Sequence, residues 1–183
     1  MKTIVIIKNF LSPIECDTLL NKFKSEVKLS TAGVGGLYTI TNARKSSVGF
    51  IPKIDLIDER IKNIMRNEFK LKGYEISGLG PYQFTEYKIG EYFNWHKDAS
   101  EEYKERYCSI VIQLNDKDDY TGGILEIQSK DNDIQKMPVG KGNMFIFHSD
   151  MLHRVSPVVS GIRYSLVNWV SVNKLLNIQK TLI

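Results

Sequence analysis

The chain has three histidines, His96, His148 and His153, and the first of them opens the short run His96-Lys97-Asp98. An imidazole and a carboxylate two residues apart lie on the same side of an extended backbone, so both can face one ion. A third ligand has to come from elsewhere in the chain, and His153 is the best candidate. Two imidazoles and one carboxylate on one face of an octahedral ion leave three positions free. That set suits non-haem Fe(II) oxygenase chemistry, which needs open positions for a cosubstrate and dioxygen. Structural zinc would instead ask for a closed four-ligand shell richer in sulfur or imidazole. Arg163 follows on an apolar strand, flanked by Ile162, Leu166 and Val167. A guanidinium buried there is costly without a partner. A carboxylate ligand held by a two-pronged bond would offset that cost, with the Ser165 hydroxyl on the same face as a second donor. The alternatives for Arg163 are an internal salt bridge or an exposed edge position.

Positioning these residues requires strands, and the second half of the chain supplies them. Tyr82, Phe84 and Glu86-Tyr87 alternate, and Tyr107–Leu114 is β-branched and apolar. Ile124–Ile127, Lys141–Phe147, His153–Val159 and Arg163–Val170 follow, separated by Asp, Gly, Asn and Pro turns. Short strands at this spacing predict a sandwich or barrel. The first half reads as strand Ile4–Ile7 and then two amphipathic helices. The first spans 13–28, with Ser12 as N-cap, Pro13 at the first helical position and Glu15 completing a capping box. The second spans about 53–71, with Ile54, Ile57, Ile61, Ile64, Met65 and Phe69 on one face and Gly73 as its stop. Between them, 31–48 is rich in glycine and threonine and reads as a loop. The expected class is α+β, with a β core of about eight strands.

Composition sets the outer bounds. The 183 residues fit one domain, 1–183, and 42% hydrophobic with 25% charged residues excludes a disordered or low-complexity chain. The longest apolar run, Ile4–Ile7, is far short of the roughly 20 residues a membrane span needs. No secretory signal pattern is visible, so the expected location is cytoplasmic and no membrane partner is expected. Two cysteines, Cys16 and Cys108, are too few for a disulfide framework or a cysteine-built zinc site. A net charge of +4 suits an anionic small ligand or a mildly acidic partner. No basic block or aromatic-basic stripe points to nucleic acid. Oligomeric state does not follow from the sequence.

Order and spacing together resemble the 2-oxoglutarate/Fe(II)-dependent oxygenases, specifically the prolyl-4-hydroxylase-like branch, over about residues 80–170. Tyr87-Lys-Ile-Gly90-Glu-Tyr92-Phe93-Asn-Trp95-His96-Lys-Asp98 is similar to that branch's tyrosine–glycine–aromatic–His-x-Asp strand pair. Gln113-Leu114-Asn115 followed by Gly122-Gly123-Ile-Leu125 is similar to its Leu-Asn, Gly-Gly-x-Leu hairpin. Phe145-Ile-Phe147, then His153-Arg-Val155-Ser-Pro157, resembles the strand carrying the second histidine. That match favours His153 over His148, which is expected at a strand end. Gly161-Ile-Arg163-Tyr-Ser165-Leu166, then Trp169, resembles the cosubstrate-anchoring strand.

The resemblance implies a double-stranded β-helix, or jelly roll of cupin-like form, buttressed by the N-terminal helices. It implies Fe(II) held by His96, Asp98 and His153 as the catalytic centre. The cosubstrates would be 2-oxoglutarate and dioxygen, and ascorbate is admitted beside them. Arg163 would anchor the far carboxylate of 2-oxoglutarate with Ser165, and Tyr87 would line its pocket. Gln113 falls where relatives often place a tyrosine. Arg44-Lys45-Ser46 is similar to an Arg-x-Ser on the family's substrate side, so Arg44, Tyr92 and Trp95 are the expected substrate contacts. The 31–48 loop is placed to close over a peptide. The implied activity is hydroxylation of a peptidyl proline, with a free amino acid or small metabolite as the alternative substrate. Nucleic-acid demethylation ranks low, because the second arginine expected on the anchoring strand is replaced by Trp169. A catalytically inactive jelly-roll binding module ranks low because His96, Asp98, His153 and Arg163 are intact.

Overall fold

The computed structural model describes residues 4–32, 42–67, 74–129 and 131–174. Strand β1 (Ile4–Ile7) leads into helix α1 (Pro13–Glu26). Ser12 caps α1 by the expected reciprocal pair: its Oγ accepts from Glu15 N–H at 3.2 Å, and Glu15 Oε2 accepts from Ser12 N–H at 2.8 Å. Three short strands follow, β2 (Ser30–Thr31), β3 (Arg44–Lys45) and β4 (Ser47–Ile51), before helix α2 (Asp55–Asn67). Among the described residues the remaining elements are strands: β5 (Tyr74–Leu79), β6 (Tyr82–Tyr87), β7 (Tyr92–His96), β8 (Arg106–Gln113), β9 (Tyr120–Gly122) and β10 (Leu125–Gln128). It ends with β11 (Ile134–Lys136), β12 (Met144–His148), β13 (His153–Val155), β14 (Val158–Gly161) and β15 (Arg163–Lys174).

Among the described residues all strand pairings are antiparallel. An eight-stranded sheet runs β1-β12-β8-β15-β6-β4-β2, with β5 also paired to β15. A five-stranded sheet runs β11-β10-β13-β7-β3, and β14 pairs with β9. The helices cover the outer face of the large sheet. Leu20 and Phe23 of α1 and Ile57, Ile61 and Met65 of α2 share one apolar cluster with Phe84, Ile110, Ile112 and Leu166. On the other face, Val111, Phe145 and Phe147 of the large sheet meet Leu125, Ile127 and Val155 of the smaller one. The β-period of two sends alternate residues of β8 and β12 to these opposite clusters. The chain is therefore mostly antiparallel sheet, with two helices on one side.

Several expected boundaries shift. The 31–48 segment contains β3 and the start of β4, because β4 pairs with β6 and β3 pairs with β7. Long-range pairing overrides its loop-like composition. Helix α2 begins at Asp55, and the expected continuation to 71 and the Gly73 stop lie outside the described residues. The expected His153–Val159 strand divides at Ser156-Pro157, where proline has no N–H for a ladder. Its halves, β13 and β14, join different sheets. Among the described residues, no helix is long and apolar enough to cross a membrane.

Candidate metal centre

His153 and His96 are direct cross-strand partners on β13 and β7. Opposed residues of an antiparallel pair bring their side chains close on one face, and the two imidazole centroids lie 4.1 Å apart. Asp98 sits two residues past His96, just beyond the end of β7, where its N–H and that of Ala99 both donate to Ser149 O at 2.9 Å. This turn swings the carboxylate between the rings. Asp98 Oδ1 is 3.5 Å from His96 Nε2, and Oδ2 is 3.5 Å from His153 Nε2. One ligand atom from each of the three residues lies within 4.8 Å of the others.

Backbone carbonyls set both rings. His96 Nδ1 donates to Asn94 O at 2.8 Å, and His153 Nδ1 donates to Met151 O at 2.9 Å. A carbonyl oxygen only accepts, so Nδ1 carries the proton and the neutral ring offers its Nε2 lone pair inward. Burial alone would raise the Asp98 carboxyl, but His153 and His96 beside it hold it well below the usual carboxylate range. Burial lowers His96; at His153 the adjacent Asp98 outweighs burial and raises it. Two serines complete the support. Ser109 Oγ donates to Asp98 Oδ2 at 2.6 Å and lies 2.9 Å from Ser149 Oγ. Neither serine was singled out from the sequence, where nothing distinguishes Ser109 inside its apolar strand or Ser149 just past a strand end from the chain's other serines. Three convergent, pre-oriented ligand atoms with a supported carboxylate fit a divalent metal ion that keeps open positions.

The same residues line a cavity of about 430 Å³, which also takes in Arg163, Ser165 and Tyr87. Arg163, Ser165, Val167 and Trp169 face it because they alternate along β15. Arg163 is 1% exposed. Its Nη1 donates to Ser165 Oγ at 3.0 Å, while its Nε and Nη2 are buried with no partner. Its guanidinium carbon is 5.4 Å from the centre of the Tyr87 ring. Having accepted from Arg163, the Ser165 hydroxyl keeps its own proton to donate. Two orphaned guanidinium nitrogens and one hydroxyl beside the ligand cluster fit the carboxylate of a small diacid. Gly123 makes room for Arg163: it adopts φ +57°, and an added Cβ would come within 3.0 Å of Arg163 Cδ. Tyr120, which the sequence reading passed over, is also close to this arginine; burial raises its phenol and Arg163 partly offsets the rise.

Not every expected site residue faces this cavity. Arg44 does: its Nε donates to Ser46 Oγ at 2.8 Å, its guanidinium lies over Phe93 and its Nη2 is buried without a partner. Gln113 is not among the lining residues; its Oε1 accepts from Gly140 N–H at 2.9 Å. Tyr92 and Trp95 are also absent from the lining. The Tyr92 hydroxyl donates to Asn42 O, and Arg154 covers the Trp95 ring. Trp95 adjoins His96 on β7, so alternation turns its ring to the other face, while the hydrogen bond to Asn42 O holds the Tyr92 ring away from the cavity. His148 ends β12 against the edge of the Tyr107 ring and is not part of the three-ligand cluster.

Comparison with known proteins agrees with this geometry. Residues 82–171 match the model of the 2OG-Fe(II) oxygenase superfamily. A PKHD-type hydroxylase from Synechococcus sp. (strain CC9605) is 37% identical over 82 residues, covering 44% of this chain and 37% of that protein. The chain thus matches well under half the length of that relative. A prolyl hydroxylase from Trichoplax adhaerens, solved with a hypoxia inducible factor peptide fragment, superposes with a TM-score of 0.73 at 23% identity, covering 92% of this chain and 83% of that one. A prolyl-4-hydroxylase from Pseudomonas putida gives a TM-score of 0.73 at 20% identity and covers 92% of both chains. Over residues 82–171 the chain is thus similar to the 2OG-Fe(II) oxygenase superfamily, and its fold is that of the solved prolyl hydroxylases.

Proposed function

We propose that this chain is a 2-oxoglutarate- and Fe(II)-dependent dioxygenase that hydroxylates a peptidyl proline within a double-stranded β-helix. When bound, ferrous iron with 2-oxoglutarate and dioxygen supplies oxidative decarboxylation to succinate coupled to insertion of oxygen into a substrate C–H bond. The chain's residues hold and orient. His96, Asp98 and His153 would take one face of the ion and leave the opposite face open. Arg163 and Ser165 would grip the remote carboxylate of 2-oxoglutarate, with Tyr87 beside it. Val111, Leu125, Val155 and Val167 line the cavity with apolar surface, which excludes water from the reacting groups. Arg44 would contact the substrate from β3. The observation that carries this reading is Arg163: a fully buried guanidinium with two unpartnered nitrogens, in one cavity with three convergent metal-ligand atoms.

The test is succinate release by the iron-loaded chain in air, with and without proline-containing peptides. Peptide-dependent release is the expected result; no release above background from any prolyl peptide would overturn the substrate assignment. Arg163→Ala is expected to raise the KM for 2-oxoglutarate about ten- to a hundredfold with a smaller effect on kcat, since it removes binding of a remote carboxylate. Unchanged kinetics in that variant would remove Arg163 from the role.

A further inference from the structure

The strand that delivers His96 is irregular just before it. Strand β13 pairs with β7 at His153 opposite His96 and Val155 opposite Phe93, so two steps along β13 match three along β7. On its other edge β13 keeps regular register with β10: Leu125 is opposite Val155, Glu126 opposite Arg154 and Ile127 opposite His153. The extra residue therefore belongs to β7, as a β-bulge in which Asn94 and Trp95 together oppose Arg154.

The bulge decides which way His96 points. Residues three apart on a regular strand face opposite sides of the sheet. Phe93 and His96 nonetheless both line the cavity, and their rings stack with centroids 3.5 Å apart at 13°. Without the extra residue, a strand with Phe93 facing inward would turn His96 outward, away from His153 and Asp98. The bulge also supplies the carbonyl, Asn94 O, that accepts from His96 Nδ1.

A bulge interrupts the hydrogen-bond ladder, so other contacts have to hold it. On the β3 side, Ala43 O accepts from Asn94 N–H at 2.8 Å and Asn42 O accepts from Asn94 Nδ2 at 2.9 Å. On the outer face of the sheet, Arg154 closes over it. Its guanidinium carbon lies 4.8 Å from the centre of the Trp95 ring, and its Nε donates to Glu126 Oε2 at 2.6 Å. Glu126 is 5% exposed although its neighbours Leu125 and Ile127, not Glu126 itself, face the apolar cluster between the sheets. A carboxylate so buried needs its cation. Arg154, fixed by that pair, covers the one ring that stands between Asn94 and His96.

We infer that Arg154, held by Glu126, is a positioning residue for the metal ligand His96: it pins the Asn94–Trp95 bulge from behind the sheet and so fixes the ring that meets the ion. Arg154, Glu126 and Trp95 do not line the cavity, so the role is exerted through the strand. The inference rests on the metal-centre reading above and is independent of the substrate.

The experiment uses the full chain and the metal alone. Anaerobic titration with Co(II) gives an affinity, and the d–d absorption of the bound ion reports its ligand geometry. Arg154→Ala is expected to weaken Co(II) binding about tenfold and to shift that absorption, the scale on which outer-shell partners act, while circular dichroism stays that of the parent. Glu126→Gln keeps the shape without the charge and is expected to move both in the same direction by less. Arg154→Lys keeps a cation without the planar group and is expected to restore part of the loss. Lys136→Ala removes the other cation on Glu126, at 3.9 Å, and is expected to leave the affinity within about twofold.

The zinc-loaded chain gives a reading that a merely stabilising pair would not move. Solvent exchange of the His96 Nδ1–H proton, followed by NMR, is expected to quicken about tenfold in Arg154→Ala. That of His153, held by Met151 O on the regular strand β13, is expected to change less than about twofold. His96 exchange that is unchanged, or quickened no more than that of His153, overturns the inference. So does a Co(II) affinity equal to the parent's in both Arg154→Ala and Glu126→Gln, or an equal loss in Lys136→Ala. Should Arg154→Ala fail to fold, Glu126→Gln and Arg154→Lys carry the same two readings. A parent chain that binds no Co(II) defeats the metal-centre reading instead.

Discussion

Ser109 and Ser149 decide where the Asp98 carboxylate points. Ser109 Oγ donates to its Oδ2, and Ser149 receives the Asp98 N–H at its own carbonyl. Both serines are fully buried, so no water substitutes readily for a lost hydroxyl. Ser109→Ala is therefore expected to keep the fold and weaken divalent metal binding about ten- to a hundredfold, as loss of an outer-shell partner does. Anaerobic metal titration checks this, and an unchanged metal affinity would show that Asp98 is oriented without Ser109. These serines were not legible in the sequence, because their meaning lies in contacts made between β8, β12 and the turn after β7. His96, Asp98 and His153 were legible, since the chain has only three histidines and one of them stands two residues from an aspartate. Arg163 was legible for a different reason: a cation inside an apolar strand demands an explanation, whereas Arg154 alternates with His153 and Val155 and demands none.

At the scale of elements, an ion pair joins the two helices beside the apolar cluster they share. Arg60 of α2 reaches Glu15 of α1 at 2.7 Å, on the same carboxylate that closes the capping box. The Arg60 hydrogen bond, followed by the Ser12 N–H, lowers the Glu15 carboxyl from about 4.5 to about 2. A carboxyl lowered on folding adds stability above its unfolded value, so this contribution is complete above about pH 4.5 and disappears as pH falls through about 2. Glu15→Gln is expected to cost about 1 kcal/mol at pH 7, since solvent screens a partly exposed pair, and nothing near pH 2. Denaturant melts at the two pH values check it; an equal cost at both would mean that the charge plays no part. Helix α1 was legible because its signals are local: Ser12, Pro13 and Glu15 in one turn. The strands β5, β9 and β11 were not. All three residues of β11 are exposed, so Ile134–Lys136 shows no alternation, and pairing with β10 alone defines it.

At the scale of the molecule, the two sheets bring together residues that are far apart in the chain. The large sheet supplies Arg163, Ser165 and Tyr87, the smaller one supplies His96 and His153, and the cavity lies between them. A patterned β half with helices ahead of it was readable from periodicity, but which strands pair was not. Register is a long-range property, and Arg163 opposite Tyr87 or His153 opposite His96 follows from no local spacing. The central claim is that His96, Asp98 and His153 share one ferrous ion beside a bound diacid. Anaerobic titration of the full chain with Fe(II) and 2-oxoglutarate, read as bound iron per chain and as the visible absorption of the complex, tests it most directly. The account predicts one ion per chain and an absorption band that requires 2-oxoglutarate, both lost in His96→Ala, Asp98→Ala and His153→Ala while the chain stays folded. Iron and absorption retained by any of the three variants would contradict it.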